Sequence, residues 1–149
     1  MPEINHKIYI KVPLEEVYYT ISTAQGWNAW FTDETSLEIN PDGTGEIRMR
    51  WLNFGRENVI IEDGGEILEA IPNQKFVFQW SPGEQSSTVT FKLEPYKDGT
   101  LVEINEIGYT HSEKDLSACI GCAVGWGEAL ALLKVYLEHG IVYKQDLIL

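Results

Sequence analysis

The spacing of apolar residues changes once in this chain, and the change dictates the architecture. From about Glu113 to His139 apolar positions recur with a helical period: Leu116, Cys119, Ala123, Trp126, Leu130, Leu133 and Leu137 form one stripe. His139 suits the negative end of such a helix, and Gly140 stands where a C′ glycine closes one. Upstream the period is two. Ile47, Met49 and Trp51 alternate with Glu46, Arg48 and Arg50, and "KFVFQW" and "STVTFKL" alternate in the same way. "KDGT" then supplies a hairpin turn into "TLVEINEIG", because Gly tolerates positive φ. Hairpin-linked strands with one polar face form an antiparallel sheet whose other face needs a cover. One long amphipathic helix is available to provide it.

The N-terminal third adds three elements. "INHKIYIKV" alternates Ile4, Ile8, Ile10 and Val12, a strand. Pro13 opens a helix with the stripe Leu14, Val17, Tyr18 and Ile21, and Glu15 and Glu16 favour its N-terminus. "GWNAWFT" reads as a second short helix with Trp27, Trp30 and Phe31 on one side, followed by Asp33 and Glu34. "NPDGTG" is a turn, and "EDGGE" predicts a hairpin or bulge within the tract Val59 to Ile71. The expected fold is α+β: a curved antiparallel sheet of about six or seven strands around one long C-terminal helix, with two short helices after the first strand. The 149 residues suggest one domain, 1–149, with a core of about 4–140 and a tail over 141–149. A domain of this size buries roughly 68–70% of its unfolded surface.

Charge narrows the partners. The net charge is −12, so phosphate backbones and anionic membrane surfaces are repelled. Seven acids and no Lys or Arg lie between Val12 and Ile47, either a solvated face or a docking face for a basic partner. No uninterrupted apolar run approaches the ~20 residues of a membrane span. The N-terminus lacks the pattern of a secretory signal. Two cysteines make no disulfide framework, which points to reduced thiols and a cytoplasmic location.

Few residues offer chemistry. Cys119 and Cys122 form a CxxC, but inside a helix rather than at its N-terminus, and no second pair completes a zinc site. Packing is the expected role, with no metal and no cofactor. His6 shares the parity of the first strand's apolar face, His111 falls in a loop and His139 near a helix end. No nucleophile elbow, phosphate loop or HExxH occurs. Glu106 shares the parity of Val102 and Ile104, so it is an inward-pointing carboxylate or a solvated strand end. If inward, it is the one candidate acid or base. Arg48 and Arg50 face solvent. The first half of the long helix carries small residues (Ala118, Cys119, Gly121, Cys122, Ala123, Gly125, Gly127), which permit close contact with the sheet or open space.

The stretches "VPLEEVYYTISTAQGWNAWFT", "FVFQW", "STVTFKLEPYKDGTLVEINEIGY" and "GWGEALALLKVYLEHG" resemble the START-like (SRPBCC) superfamily. Within it they are similar to the AHSA-type proteins, homologues of the C-terminal domain of a heat-shock-chaperone ATPase activator. The resemblance runs in order over about residues 4 to 140. It implies a helix-grip fold with an apolar cavity between helix and sheet, and non-catalytic binding of a lipid, sterol, polyketide or flavonoid-like molecule. It also implies two alternatives, a chaperone-activator module of the stress response and a cyclase-like enzyme using Glu106. Taken with the small-residue helix half and the large aromatic positions, it gives as expected lining Trp30, Phe31, Met49, Trp51, Phe78, Trp80, Ile104, Cys122 and Trp126, with Glu106 as the polar contact. The expected state is a monomer or weak dimer.

Overall fold

A computed structural model describes residues 2–54 and 57–144. In chain order the elements are β1 (Ile4–Ile10), α1 (Leu14–Ser22), α2 (Ala24–Trp30), β2 (Glu34–Ile39), β3 (Gly45–Phe54), β4 (Val59–Ile71), β5 (Lys75–Trp80), β6 (Ser87–Tyr96), β7 (Gly99–Ile107) and α3 (Glu113–His139). The strands make one sheet in the order β1-β7-β6-β5-β4-β3-β2. Every pairing is antiparallel. From β2 to β7 each strand pairs with the next, and β1 closes onto β7.

Strand parity sets the inner face. Ile47, Met49, Trp51, Ile67, Phe78, Trp80, Val89, Phe91, Val102 and Ile104 are buried in one cluster with Val17, Ile21, Trp27, Trp126, Leu130 and Leu133 from the helices. All three helices therefore pack on the same face. Arg48 and Arg50, of opposite parity, reach solvent, where Arg50 pairs with Glu34 and Glu62. The helix ends follow local chemistry. Pro13 stands at the N-cap of α1, and Glu15 and Glu16 fill its first turn. Thr23 Oγ1 accepts from Gly26 N at 2.9 Å to start α2. Ser112 Oγ accepts from Asp115 N at 3.1 Å to start α3. Gly140 closes α3 in the left-handed region at φ 68°, where a Cβ would be strained.

Three expectations need correction. "EDGGE" is neither a hairpin nor the site of a bulge: β4 runs unbroken through it, with Arg48 opposite Gly64 and Ile47 opposite Gly65. A Cβ on Gly64 would meet Ile47 O at 2.2 Å, so the glycines let neighbouring backbones approach. The shift in β4 falls between Ile67 and Glu69, against β5. Leu116 leaves the expected stripe for solvent, and Asp115 is buried instead. Its carboxylate accepts from Glu84 N, Thr110 N and Thr110 Oγ1, at 2.7, 2.8 and 2.8 Å, which turns that side of α3 inward. Lastly, Gly121 and Gly125 do not face the sheet: a Cβ on either would meet nothing within 4 Å.

α3 also holds an 18-residue window of mean hydropathy 1.6, so by length and composition it alone among the described helices could cross a membrane. Here its Trp126, Ala129, Leu130, Leu132 and Leu133 are buried as a core helix. The tail segment Leu147 to Leu149 lies outside the described residues. Lys144, before it, donates to Thr32 O at 2.8 Å.

Candidate ligand site

Parity places Glu106 inward, and it is fully buried. Oε2 accepts from Trp80 Nε1 at 2.8 Å, from Tyr109 OH at 2.8 Å and from Ser87 Oγ. Oε1 accepts from Trp126 Nε1 at 2.8 Å. An ionised carboxylate only accepts, and all four partners can donate. Burying a polar group is costly unless it is hydrogen-bonded, and here donors from β5, β6, α3 and the residues after β7 satisfy both oxygens. No salt bridge to Glu106 forms among the described residues. The carboxylate thus clasps the helix to three strands of the sheet.

The surroundings discourage ionisation of other groups. Burial raises the Asp63 carboxyl, partly offset by the N–H groups of Ser81 and Gly64. Burial lifts the Tyr109 hydroxyl far above its ordinary value. Burial also raises the Cys119 thiol and pushes Cys122 up to about 11. Both cysteines are free thiols and stay protonated near neutral pH, the opposite of a redox pair. Among the described residues no cluster of His, Cys, Asp or Glu could hold a metal ion. His6 Nε2 lies 2.8 Å from Ala123 O and so ties β1 to α3.

Next to this clasp lies an aromatic box. Phe31 stacks on Trp30 at 5.0 Å between centroids and meets Trp51 edge-on at 5.4 Å. Trp126 lies 6.2 Å from Phe31 and 5.3 Å from Trp80, and Trp80 lies 5.9 Å from Phe78. Trp30, Trp51, Phe78, Trp80 and Trp126 are buried, whereas Phe31 and Cys122 are only partly so. Met49 and Ile104 belong to the same buried cluster. The rings contact one another, so a ligand here displaces side chains rather than filling a ready space. Trp27 and Phe91 join the box, Phe91 at 5.6 Å from Trp126.

The indole N–H groups divide into two kinds. Trp27 donates to Ile21 O at 2.8 Å, and Trp80 and Trp126 donate to Glu106. The buried Nε1 atoms of Trp30 and Trp51 have no acceptor among the described residues. Elsewhere, a groove of about 450 Å³ runs between α1 and the C-terminal end of α3, lined by Glu15, Glu16, Tyr19, Thr20, Tyr136, Leu137 and Gly140.

Sequence reasoning missed Ser87 and Tyr109. Ser87 carried a signal: it has the inward parity of Val89 and Phe91, so a polar residue there needs a buried partner. Tyr109 carried none, because Gly108 turns the chain at φ 115° and ends the parity count.

A curved antiparallel sheet of seven strands closed over one long C-terminal helix, with an aromatic box between them, is a helix-grip protein. The chain belongs to the family described as Activator of Hsp90 ATPase homolog 1-like protein, which matches residues 11–138. The Aha1 dimer of Colwellia psychrerythraea is 25% identical, with a TM-score of 0.73 over 94% of this chain and 98% of that one. Protein SSP2350 of Staphylococcus saprophyticus is 24% identical, with a TM-score of 0.72 over 95% of each chain. DynU16, described as a putative protein in the dynemicin biosynthetic locus, is 17% identical, with a TM-score of 0.75 over 93% of this chain and 48% of that one. No curated protein matches the sequence.

Proposed function

We propose that this protein binds a small apolar molecule between α3 and the sheet, without catalysing its conversion. The observation that carries the reading is the half-buried Phe31, set among Trp30, Trp51 and Trp126 where the rest of the box is closed. Aromatic walls of this kind suit an apolar ring system or chain. Burying a few hundred Å² of ligand at roughly 25 cal/mol/Å² gives several kcal/mol before association costs, so micromolar affinity is expected. The occurrence of the fold in a biosynthetic locus, in DynU16, is in keeping with this. Native mass spectrometry of protein isolated from its own host should show a retained small molecule, and apolar aromatic, sterol or fatty-acid probes should quench tryptophan fluorescence saturably. If no probe produces a saturable response, the reading fails.

A second reading, a protein-interaction module, is favoured by the outer side of α3. Leu116, Ile120 and Val124 are exposed at i, i+4 and i+8. An exposed apolar stripe of this kind marks interaction surfaces, and the Colwellia relative is a dimer. Sedimentation of wild type against Ile120→Lys tests it: self-association or partner binding lost in the variant supports it, and identical behaviour removes it.

A further inference from the structure

We propose that Phe31 is a displaceable plug over a polar subsite, where the indole N–H groups of Trp30 and Trp51 receive the carbonyl oxygen of a neutral, ring-bearing ligand. The inference rests on the ligand-binding reading above and adds the class of ligand. Nearly all buried polar groups in folded proteins are hydrogen-bonded, so an unpaired one calls for an explanation. Besides Arg50 Nε, which ion-pairs with Glu62 at 2.8 Å, two are found among the described residues, Trp30 Nε1 and Trp51 Nε1, and both rings touch Phe31. Trp30 is 1% exposed and Trp51 8%, so neither ring turns its donor freely to solvent.

Phe31 is placed to give way. It follows the last residue of α2 at φ −136° and ψ −56°, outside the helical run. A ligand that displaces Phe31 enters beside both Trp30 and Trp51, and its carbonyl lies in line with their N–H groups rather than over the face of Trp30. It also brings what a phenyl ring lacks, an acceptor for the two donors. The preference for a neutral ligand comes from the acidity of the chain and from Glu106, whose oxygens already take the nearby donors. Trp126 faces Phe31 on one side and gives its N–H to that carboxylate on the other. No salt bridge to Glu106 forms among the described residues, and the chain carries a net charge of −12. That net charge disfavours a carboxylate ligand where it does not disfavour a ketone.

The test uses three probes of one shape: 9-fluorenone, fluorene and fluorene-9-carboxylate, titrated into the full ¹⁵N-labelled chain. The protein has five tryptophans, so five indole signals report separately. Fluorenone should move the Trp30 and Trp51 indole signals downfield saturably, with smaller changes at Trp27, Trp80 and Trp126. By calorimetry fluorene should bind about tenfold more weakly, since a site built to donate rejects an analogue without the acceptor. The carboxylate should bind weakest. Trp30→Phe and Trp51→Phe should each erase the preference for fluorenone over fluorene. The wild-type indole signals decide the matter if a variant fails to fold. Equal binding of fluorenone and fluorene, with the two indole signals unmoved, overturns the subsite but keeps the apolar-ligand reading. Tightest binding of the carboxylate overturns the neutral class. Binding of none of the three overturns both the subsite and the reading beneath it.

Discussion

Two buried tryptophan pairs lie within one ring of each other and differ in a single respect. Around Glu106, Trp80 and Trp126 both have an acceptor, and the carboxylate they share ties α3 to the sheet. Around Phe31, Trp30 and Trp51 have none among the described residues. The first arrangement is saturated and holds the fold together. The second is incomplete, and incompleteness in a packed interior is where a fold leaves room for something else. The same residue type thus serves fixation in one place and reception in the other, and only hydrogen-bond accounting tells them apart.

The largest effect should come from the saturated side. Glu106→Gln turns one acceptor into a donor amid four donors. At about 1.5–3 kcal/mol for each hydrogen bond to a charged group, a loss of at least ~3 kcal/mol is expected in urea unfolding. A loss below 1 kcal/mol would mean that the clasp contributes little. Next comes a paired substitution. Trp126→Phe strips Glu106 Oε1 of its donor and should cost about 1–3 kcal/mol beyond the packing change. Trp51→Phe removes a donor that has no partner, so it should cost clearly less under the same conditions. Equal losses would erase the distinction between the two pairs.

A second carboxylate sharpens the contrast. Asp115 accepts from the N–H groups of Glu84 and Thr110, and these hold its carboxyl below the ordinary value. Its folded pKa is lowered, so its contribution is full above the ordinary carboxylate pKa of about 3.9 and is lost as pH falls through the folded value. Asp115→Asn should flatten the acid side of the stability profile in that range and leave the neutral side with the same slope. The smallest effect concerns the cysteines. With Cys122 near 11, its alkylation at pH 8 should be slow, and Cys119→Ala with Cys122→Ala should fold and bind as much zinc as wild type. Stoichiometric zinc in the wild type, absent from the variant, would contradict this.

Much of the architecture was legible because period is a local property. The two-residue alternation marked the inner faces of β3, β5, β6 and β7, and the 3.6-residue stripe marked α3. For Glu106 it left an inward carboxylate and a solvated strand end both open, and burial in the structure decides between them. What escaped depends on contacts distant in sequence. Leu116 fits the apolar stripe, yet Asp115 takes the inward direction because the backbone of Glu84 and Thr110 waits for it. The double glycine in "EDGGE" looks like a turn, but its lack of side chains serves close strand approach. The small residues of α3 divide between inward Cys119 and outward Gly121 and Gly125, a division that composition does not reveal. The aromatic positions were readable one by one. Which indoles lack an acceptor was not, since that requires knowing every neighbour at once.

Lys144 gives the molecule a practical handedness. Its ammonium group reaches back to the carbonyl of Thr32, beside the residue that stoppers the box, and sits 4.0 Å from Asp33. Acylation of the lysine severs that tether. Binding assays are therefore best run on protein labelled at the other end, where β1 is laced into the sheet along its whole length by β7.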